Sequence, residues 1–323
     1  MIAIHQNKVK VVQSSFSSEI ENQREKALKK LKDITKNQFN RVEKDYLISV
    51  INLFEESSPV KIIEATPNEI ITQIANIGII PPNSRFYKNG RAKKTLKSFI
   101  LEALNYTSLR SSFYPNYFRK IGVKTCVYCN SSLTITAKKT SNNGYSAKFD
   151  VDHYHSKDKY PFLSISLFNL YPACASCNRA KKNDEIEFEL YTELGAKTLK
   201  SEYKFKLHPY SKAKYLTTKD SKNIEFTFEE PIYANPNAKT FKDVFHIEGI
   251  YQTQNDLIEE LIIKSQIYNK SYLKALKSNF SKLSLHPELF KRTLIGNYVE
   301  DKNIHKRPMS KLVMDIAKDL DLI

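Results

Sequence analysis

Apolar residues recur at helical steps through the first third of the chain. Between residues 18 and 54, Ile20, Leu28, Leu31, Ile34, Phe39, Val42, Leu47, Val50, Ile51 and Phe54 mostly follow one another at three to five positions among Lys and Glu. That is the spacing of a helix face turned to a core. Ser18 followed by Glu21 predicts a capping box at its start. Glu55-Glu56-Ser57-Ser58-Pro59 interrupts the stripe, and Thr66-Pro67-Asn68-Glu69 restarts it with proline near the first turn. Ile70, Ile71, Ile74 and Ile77 continue it. Pro81-Pro82-Asn83-Ser84 predicts a turn, and a basic helix is expected over about 92–106.

Farther along, the period drops to two. Residues 133–137 (Leu-Thr-Ile-Thr-Ala) alternate like a strand, Ser141-Asn142-Asn143-Gly144 predicts a hairpin turn, and 145–152 returns as a second strand. Short strand-like pieces follow at 203–207 and 224–228, with turns at His208-Pro209 and Glu230-Pro231. Helical spacing resumes over 254–283, and the basic segment 289–323 is expected to pack as one or two helices. The pattern predicts an α+β chain, mostly α-helical. Its regions are a helical part over 1–120, a central unit over 121–190, and a mixed strand-and-turn part becoming helical over 191–323.

Composition narrows the partners. An apolar fraction of 41%, with 19 Tyr and 18 Phe, excludes a disordered chain. The net charge of +16 favours polyanions, nucleic acid first and an anionic membrane surface second. The bland alternative is a Lys-rich surface that merely solvates the protein. No apolar run approaches the ~20 residues needed to cross a bilayer. Met1-Ile2-Ala3-Ile4-His5-Gln6 lacks the basic-then-apolar order of an export signal, so a reducing cytoplasm is expected.

Every cysteine lies in one of two C-x-x-C pairs, Cys126/Cys129 and Cys174/Cys177. Two intervening residues let both sulfurs of a pair reach one ion, so the four read as a closed, structural zinc site. The stretch between the pairs is roughly double the ~15–20 residues of a simple ribbon, leaving room for a built-in site. Within it, Asp152-His153 sets a hard cation ligand beside a base of near-neutral pKa. Adjacent strand residues point to opposite faces, so the pair is useful only where the strand ends. Asn178 would emerge in the first turn of a helix opening at the second knuckle, and Arg179, Lys181 and Lys182 would put cations where a phosphate needs them. His155 reads either as a phosphate contact or as an exposed loop residue. Asp150 reads as a spare ligand or, preferably, as a polar residue on an exposed face. The aromatic and basic segment 111–120 reads either as a nucleic-acid stacking surface or as the packed lead-in to the first knuckle, the commoner use. His208 reads as a turn residue, and His5, His246, His286 and His305 receive no role.

The order C-x-x-C, Asp152-His153, Asn169-Leu170, then Cys174-x-x-Cys177-Asn178-x-x-Lys181 resembles the HNH endonucleases. Their catalytic unit is a ββα-metal finger, and many carry a four-cysteine zinc beside it. The wording Asp152-His153-Tyr154-His155-Ser156-Lys157-Asp158-Lys159-Tyr160-Pro161 is similar to the PtuB-like subgroup of Septu-type and retron-linked anti-phage systems. The resemblance covers residues 126–183 and places a zinc-stapled finger between helical flanks. It implies His153 as the general base, Asp152 and Asn178 as ligands of a catalytic Mg²⁺ or Mn²⁺, and Asn169 as the residue that shapes the loop. It also implies Zn²⁺ on Cys126, Cys129, Cys174 and Cys177. Asn178 stands where the family's final His is commonest, which bears on metal choice. Pro161 comes later than the usual proline and the usual glycine pair is missing, which bears on loop geometry.

The resemblance thus implies a metal-dependent endonuclease cutting DNA, with antiviral defence as its role and an ATPase as its partner protein. Two alternatives remain open on these residues. One is an RNase on the same finger, and the other is a non-catalytic, zinc-dependent nucleic-acid-binding or adaptor protein.

Overall fold

Strand β1 (Ile4–His5) and helices α1 (Gln6–Ser14), α2 (Ser17–Ile34), α3 (Arg41–Phe54) and α4 (Pro67–Ile77) open the chain. The computed structural model describes residues 1–323 apart from 83–86, 90–91, 141–143, 185, 194–200, 235–238 and 283–285. Of the expected turn residues, Asn83, Ser84 and Ser141 through Asn143 therefore lie outside the described residues. The expected start of α2 is corrected. Ser17 already lies within the helix, Ser18 caps nothing, and Glu21 bonds Arg24 instead. Buried Phe16 fixes the entry by packing edge-on against Phe113 and Tyr117 at 5.3 and 5.9 Å. Capping boxes do start the next two helices, Asn40 with Glu43 at α3 and Thr66 with Glu69 at α4, the latter with Pro67 in its first turn.

The basic helix expected over 92–106 is shorter. Strand β2 (Tyr87–Asn89) pairs with β3 (Ala92–Lys94), and Thr95 caps α5 (Leu96–Leu104). Asn105, at φ 57°, turns the chain into α6 (Tyr106–Ser112), and α7 (Tyr114–Ile121) follows. Tyr114, Tyr117 and Phe118 are buried, so segment 111–120 packs as a lead-in and offers no stacking surface. Its cations lie over aromatic rings, Arg119 over the half-buried Tyr145 and Lys120 over the core residue Phe16, each at 4.4 Å.

The expected hairpin is also rearranged. Strand β4 (Thr136–Lys138) pairs with β5 (Tyr145–Ala147), and the ladder stops where Lys148 N bonds Ile135 O and Phe149 turns onto Phe118. Strand β6 (Asp150–His153) then pairs antiparallel with β7 (Leu170–Ala173), which leads into helix α8 (Ala175–Lys181). All four residues of β7 are buried, as befits an apolar strand beneath a helix.

Strand β8 (Tyr191–Thr192) runs parallel to β1. Strand β9 (Lys204–Leu207), helix α9 (Ser211–Thr218) and strand β10 (Phe226–Glu229) follow, with β9 and β10 antiparallel. The rest is helical: α10 (Phe241–Phe245), α11 (Ile247–Gln252), α12 (Asn255–Ile267), α13 (Lys270–Lys282), α14 (Pro287–Ile295), a 3-10 stretch Asp301–Lys306, and α15 (Ser310–Asp319). The helix expected over 254–283 breaks at Tyr268, and Asn269 restarts it by accepting from Tyr272 N. Helix α15 completes the edge of β9, because Asp315 and Asp319 accept the backbone N–H groups of Phe205 and Leu207. The architecture is α+β and mostly helical, and one apolar core runs through all three regions from Met1 to Leu322. No helix among the described residues is long and apolar enough to cross a membrane.

Candidate active site and metal centre

Both knuckles are built by backbone hydrogen bonds. In the first, Cys126 N bonds Ser132 O and Asn130 N bonds Cys126 O, and the tight turn puts Asn130 at φ 53°. In the second, Cys174 caps α8, its sulfur accepting from Cys177 N at 3.5 Å. Val127 N bonds Pro172 O and laces one knuckle to the strand before the other. All four sulfurs consequently lie within 4.8 Å of one another. A tetrahedral zinc with ~2.3 Å bonds sets sulfurs about 3.8 Å apart, so the cluster has the dimensions of that site. Cys126, Cys129 and Cys177 are buried, and Ser131 Oγ donates to the Cys129 sulfur at 3.1 Å. Burial pushes the Cys126 thiol up, while hydrogen bonds from Cys126, Cys174 and Cys177 hold Cys129 far below the thiol range. A thiolate gathered among donors in this way is the form that a cation replaces protons around.

Strand β6 carries acidic residues on alternate positions, and both meet α8. Asp150 Oδ2 accepts from Asn178 Nδ2 at 3.1 Å, and Asp150 Oδ1 accepts from Arg110 of α6 at 3.2 Å. Asp152, 5% exposed, accepts from the Tyr128 hydroxyl at 2.5 Å and pairs with the Lys181 ammonium at 3.1 Å. Burial pushes the Asp152 carboxyl up, against the pull of Lys181 and Tyr128. Its register partner is Tyr171 of β7.

His153 ends β6 and turns the other way. Its ring packs 4.7 Å from the Tyr106 ring, and Nε2 lies 3.0 Å from Ser164 O. A carbonyl only accepts, so Nε2 carries the proton and Nδ1 keeps the lone pair. Burial, with the nearby Lys157 charge, pulls the imidazole pKa down to about 3. Because β6 ends here, Asp150, Asp152, His153 and Asn178 open onto one cleft of about 250 Å³. It is lined by Tyr106, Arg110, Asp150, Asp152, His153, Lys157, Asn178 and Lys182, among others. Asp150, Asp152 and the Asn178 amide bring to this cleft oxygen atoms of the kind Mg²⁺ or Mn²⁺ takes, whereas the His, Cys, Asp and Glu side chains gathered closely enough to hold an ion are, among the described residues, the four cysteines.

The remaining expected residues divide. Asn169 ties the ends of the intervening loop together, with Nδ2 donating to His155 O and Leu163 O and Oδ1 accepting from His155 N. The His155 side chain faces a different cleft, beside Tyr154, Tyr171 and Ile70. Lys182 lines the candidate cleft, and exposed Arg179 does not. Lys181 is corrected from a phosphate contact to a buried residue, because its ammonium is taken by Asp152 and by the carbonyl of His153 at 2.9 Å. Asp150, preferred as an exposed-face residue, instead bonds Asn178 within the cleft. Sequence reasoning missed Tyr106, Arg110 and Lys157. The first two come from a helix outside the cysteine-bounded stretch, where spacing carries no signal. Comparison with protein-family models, curated proteins and solved structures finds no match.

Proposed function

We propose that this chain is a metal-dependent HNH-type endonuclease that hydrolyses phosphodiester bonds in DNA, acting in cytoplasmic anti-phage defence beside an ATPase partner. One observation carries the reading: β6, β7 and α8 bring Asp150, Asp152, His153 and Asn178 to a single cleft beside the four-sulfur cluster. The +16 net charge suits a polyanionic substrate.

Burial keeps His153 neutral, the form that a base requires, and Nδ1 takes the proton of the attacking water. A phosphate entering the cleft favours the imidazolium and raises its pKa toward working pH. Asp152, Asp150 and Asn178 would hold the divalent ion, which when bound supplies Lewis acidity toward the phosphoryl and leaving oxygens. Asn169 keeps the loop after His153 in shape, and Lys181 fixes the end of β6. The thiolates of Cys126, Cys129, Cys174 and Cys177 would hold a structural Zn²⁺ with no position left for water.

A plasmid incubated with purified protein in Mg²⁺, in Mn²⁺ and in EDTA, with RNA in parallel, tests this. Metal-dependent nicking or linearisation is expected, reduced roughly 10²-fold or more by His153→Ala. Unaltered cleavage by His153→Ala removes His153 as the base, and cleavage of RNA alone selects the RNase on the same residues. A second reading has one observation of its own, since Asp152 is already engaged by Lys181 and Tyr128. That reading is a non-catalytic zinc-dependent nucleic-acid-binding or adaptor protein. Zinc-loaded protein that retards DNA and cuts neither polymer favours it.

A further inference from the structure

Lys157 stands between two anchored neighbours. Ser156 Oγ donates to Asn183 Oδ1 at 2.6 Å and accepts from Asp158 N at 3.1 Å. The Asp158 carboxylate takes Asn183 Nδ2 at 3.1 Å and Lys97 Nζ at 3.0 Å. With its neighbours so held, the Lys157 side chain lies over the Tyr106 ring, Nζ 4.9 Å from the centroid, and lines the cleft. Tyr106 is fixed in turn by its hydroxyl on Val151 O at 2.9 Å, and the same ring packs on His153. One ring therefore sets both the imidazole and the ammonium.

The charges of the cleft do not balance. Asp152 is matched by Lys181, and Asp150 by Arg110 and Asn178. Asp158 faces Lys97, so no carboxylate among the described residues lies within ion-pair distance of Lys157 or Lys182. Burial lowers the Lys157 pKa, against the pull of the Asp158 and Asp152 charges, neither of which pairs with it. Arg110 gives one N–H to Asp150, and 48% of its side chain remains exposed. Its planar fork keeps further donors for a second anion.

We propose that Lys157 and Arg110 bind the scissile phosphate of the nucleic acid. Lys157 reaches it from the loop after His153 and Arg110 from α6, so the cleft is complete only with the N-terminal helices docked. The inference rests on the nuclease reading and adds the two groups that hold its substrate.

The test places Lys157→Gln and Arg110→Gln in full-length, zinc-loaded protein, both with His153 intact and in a His153→Ala background. Glutamine keeps most of the stem over Tyr106 and removes the charge. With His153→Ala preventing turnover, anisotropy of a short labelled duplex is followed against salt. Each substitution is expected to weaken binding about tenfold and to lower the salt slope by about 1. Turnover is expected to fall in the active background, and Lys157→Arg to restore both readouts. A Lys157→Gln protein with parental affinity, slope and turnover overturns the proposal, whatever Arg110→Gln does. Wild-type protein that cuts neither polymer defeats the nuclease reading, while anisotropy still decides the phosphate site. The two failures are thereby told apart.

Discussion

A lysine with essentially no exposed surface has to find oxygen for its ammonium, and Lys181 finds the Asp152 carboxylate and the carbonyls of His153 and Tyr154. Removing one partner of a buried pair leaves the other charged and unsolvated, at about 3–5 kcal/mol. Lys181→Met is expected to lose that much stability in urea denaturation. Asp152→Asn added to it should recover much of the loss, because the stranded charge is then gone. A double variant no more stable than Lys181→Met shows that the lysine acts through its carbonyl bonds alone. This pairing was hidden in the sequence. Asn178-Arg179-Ala180-Lys181-Lys182 reads as a run of cations placed for a phosphate, and only the helix period, which sets 178 and 181 on one face, hints that Lys181 turns inward with Asn178. The four cysteines were legible because chemistry limits what two close pairs of thiols can do. Asp150, Arg110 and Lys157 were not, because their roles depend on which faces meet.

At the scale of elements, local rules recovered what local forces decide. Thr66-Pro67-Asn68-Glu69 starts α4 because proline and a capping box act within a few residues. The expected hairpin forms between β4 and β5, but the expected return strand runs too far because strand pairing is non-local. The stretch ending in Asp152-His153 follows a strand in sequence, yet its ladder forms with β7, whose buried Leu170 and Tyr171 lie beyond a loop. The same distance effect gives the 3-10 stretch Asp301–Lys306 an unforeseen role. His305 bonds Ile2 O through Nε2 at 2.7 Å, and its Nδ1 is buried without a partner. Burial pulls its pKa down to about 4. An unfolded histidine titrates near ~6.5, so between that pH and about 4 the unfolded chain binds a proton that the native one refuses. Stability from this group is full above pH ~6.5, falls as pH drops, and levels off below the native value after a loss of about 3 kcal/mol. His305→Gln retains a donor for Ile2 O and does not titrate. Melting curves at several pH values should show a shallower acid decline than in the parent. Parallel declines in the two proteins remove His305 as the titrating group.

Across the whole molecule the first knuckle is where distant segments meet. Asn130, directly after Cys129, donates to Thr125 Oγ1 and Ile304 O, accepts Lys311 N on its side chain, and accepts Met309 N on its carbonyl. Tyr251 OH bonds Cys129 O, and Lys124 N bonds His305 O. Beside them the Lys311–Asp315 ion pair is almost fully buried, and Asp315 also holds the edge of β9. The turn that presents Cys129 is thus the platform on which α11, the 3-10 stretch and α15 rest. Four thiols packed within 4.8 Å, most of them buried, do not hold that turn by themselves, since thiolates repel and buried thiols bond weakly. A zinc bound there stabilises the native state alone, and for small zinc domains the binding free energy is about 10–16 kcal/mol. Chelation should therefore release more than the two knuckles. Stripping the metal at neutral pH is expected to lower the melting temperature by tens of degrees. It should also raise hydrogen exchange in α15 and β9 as well as in α8, although α15 contains no cysteine. Exchange confined to the two knuckles, with α15 still protected, means that the C-terminal helices are held by their apolar packing and the knuckle only rides on them.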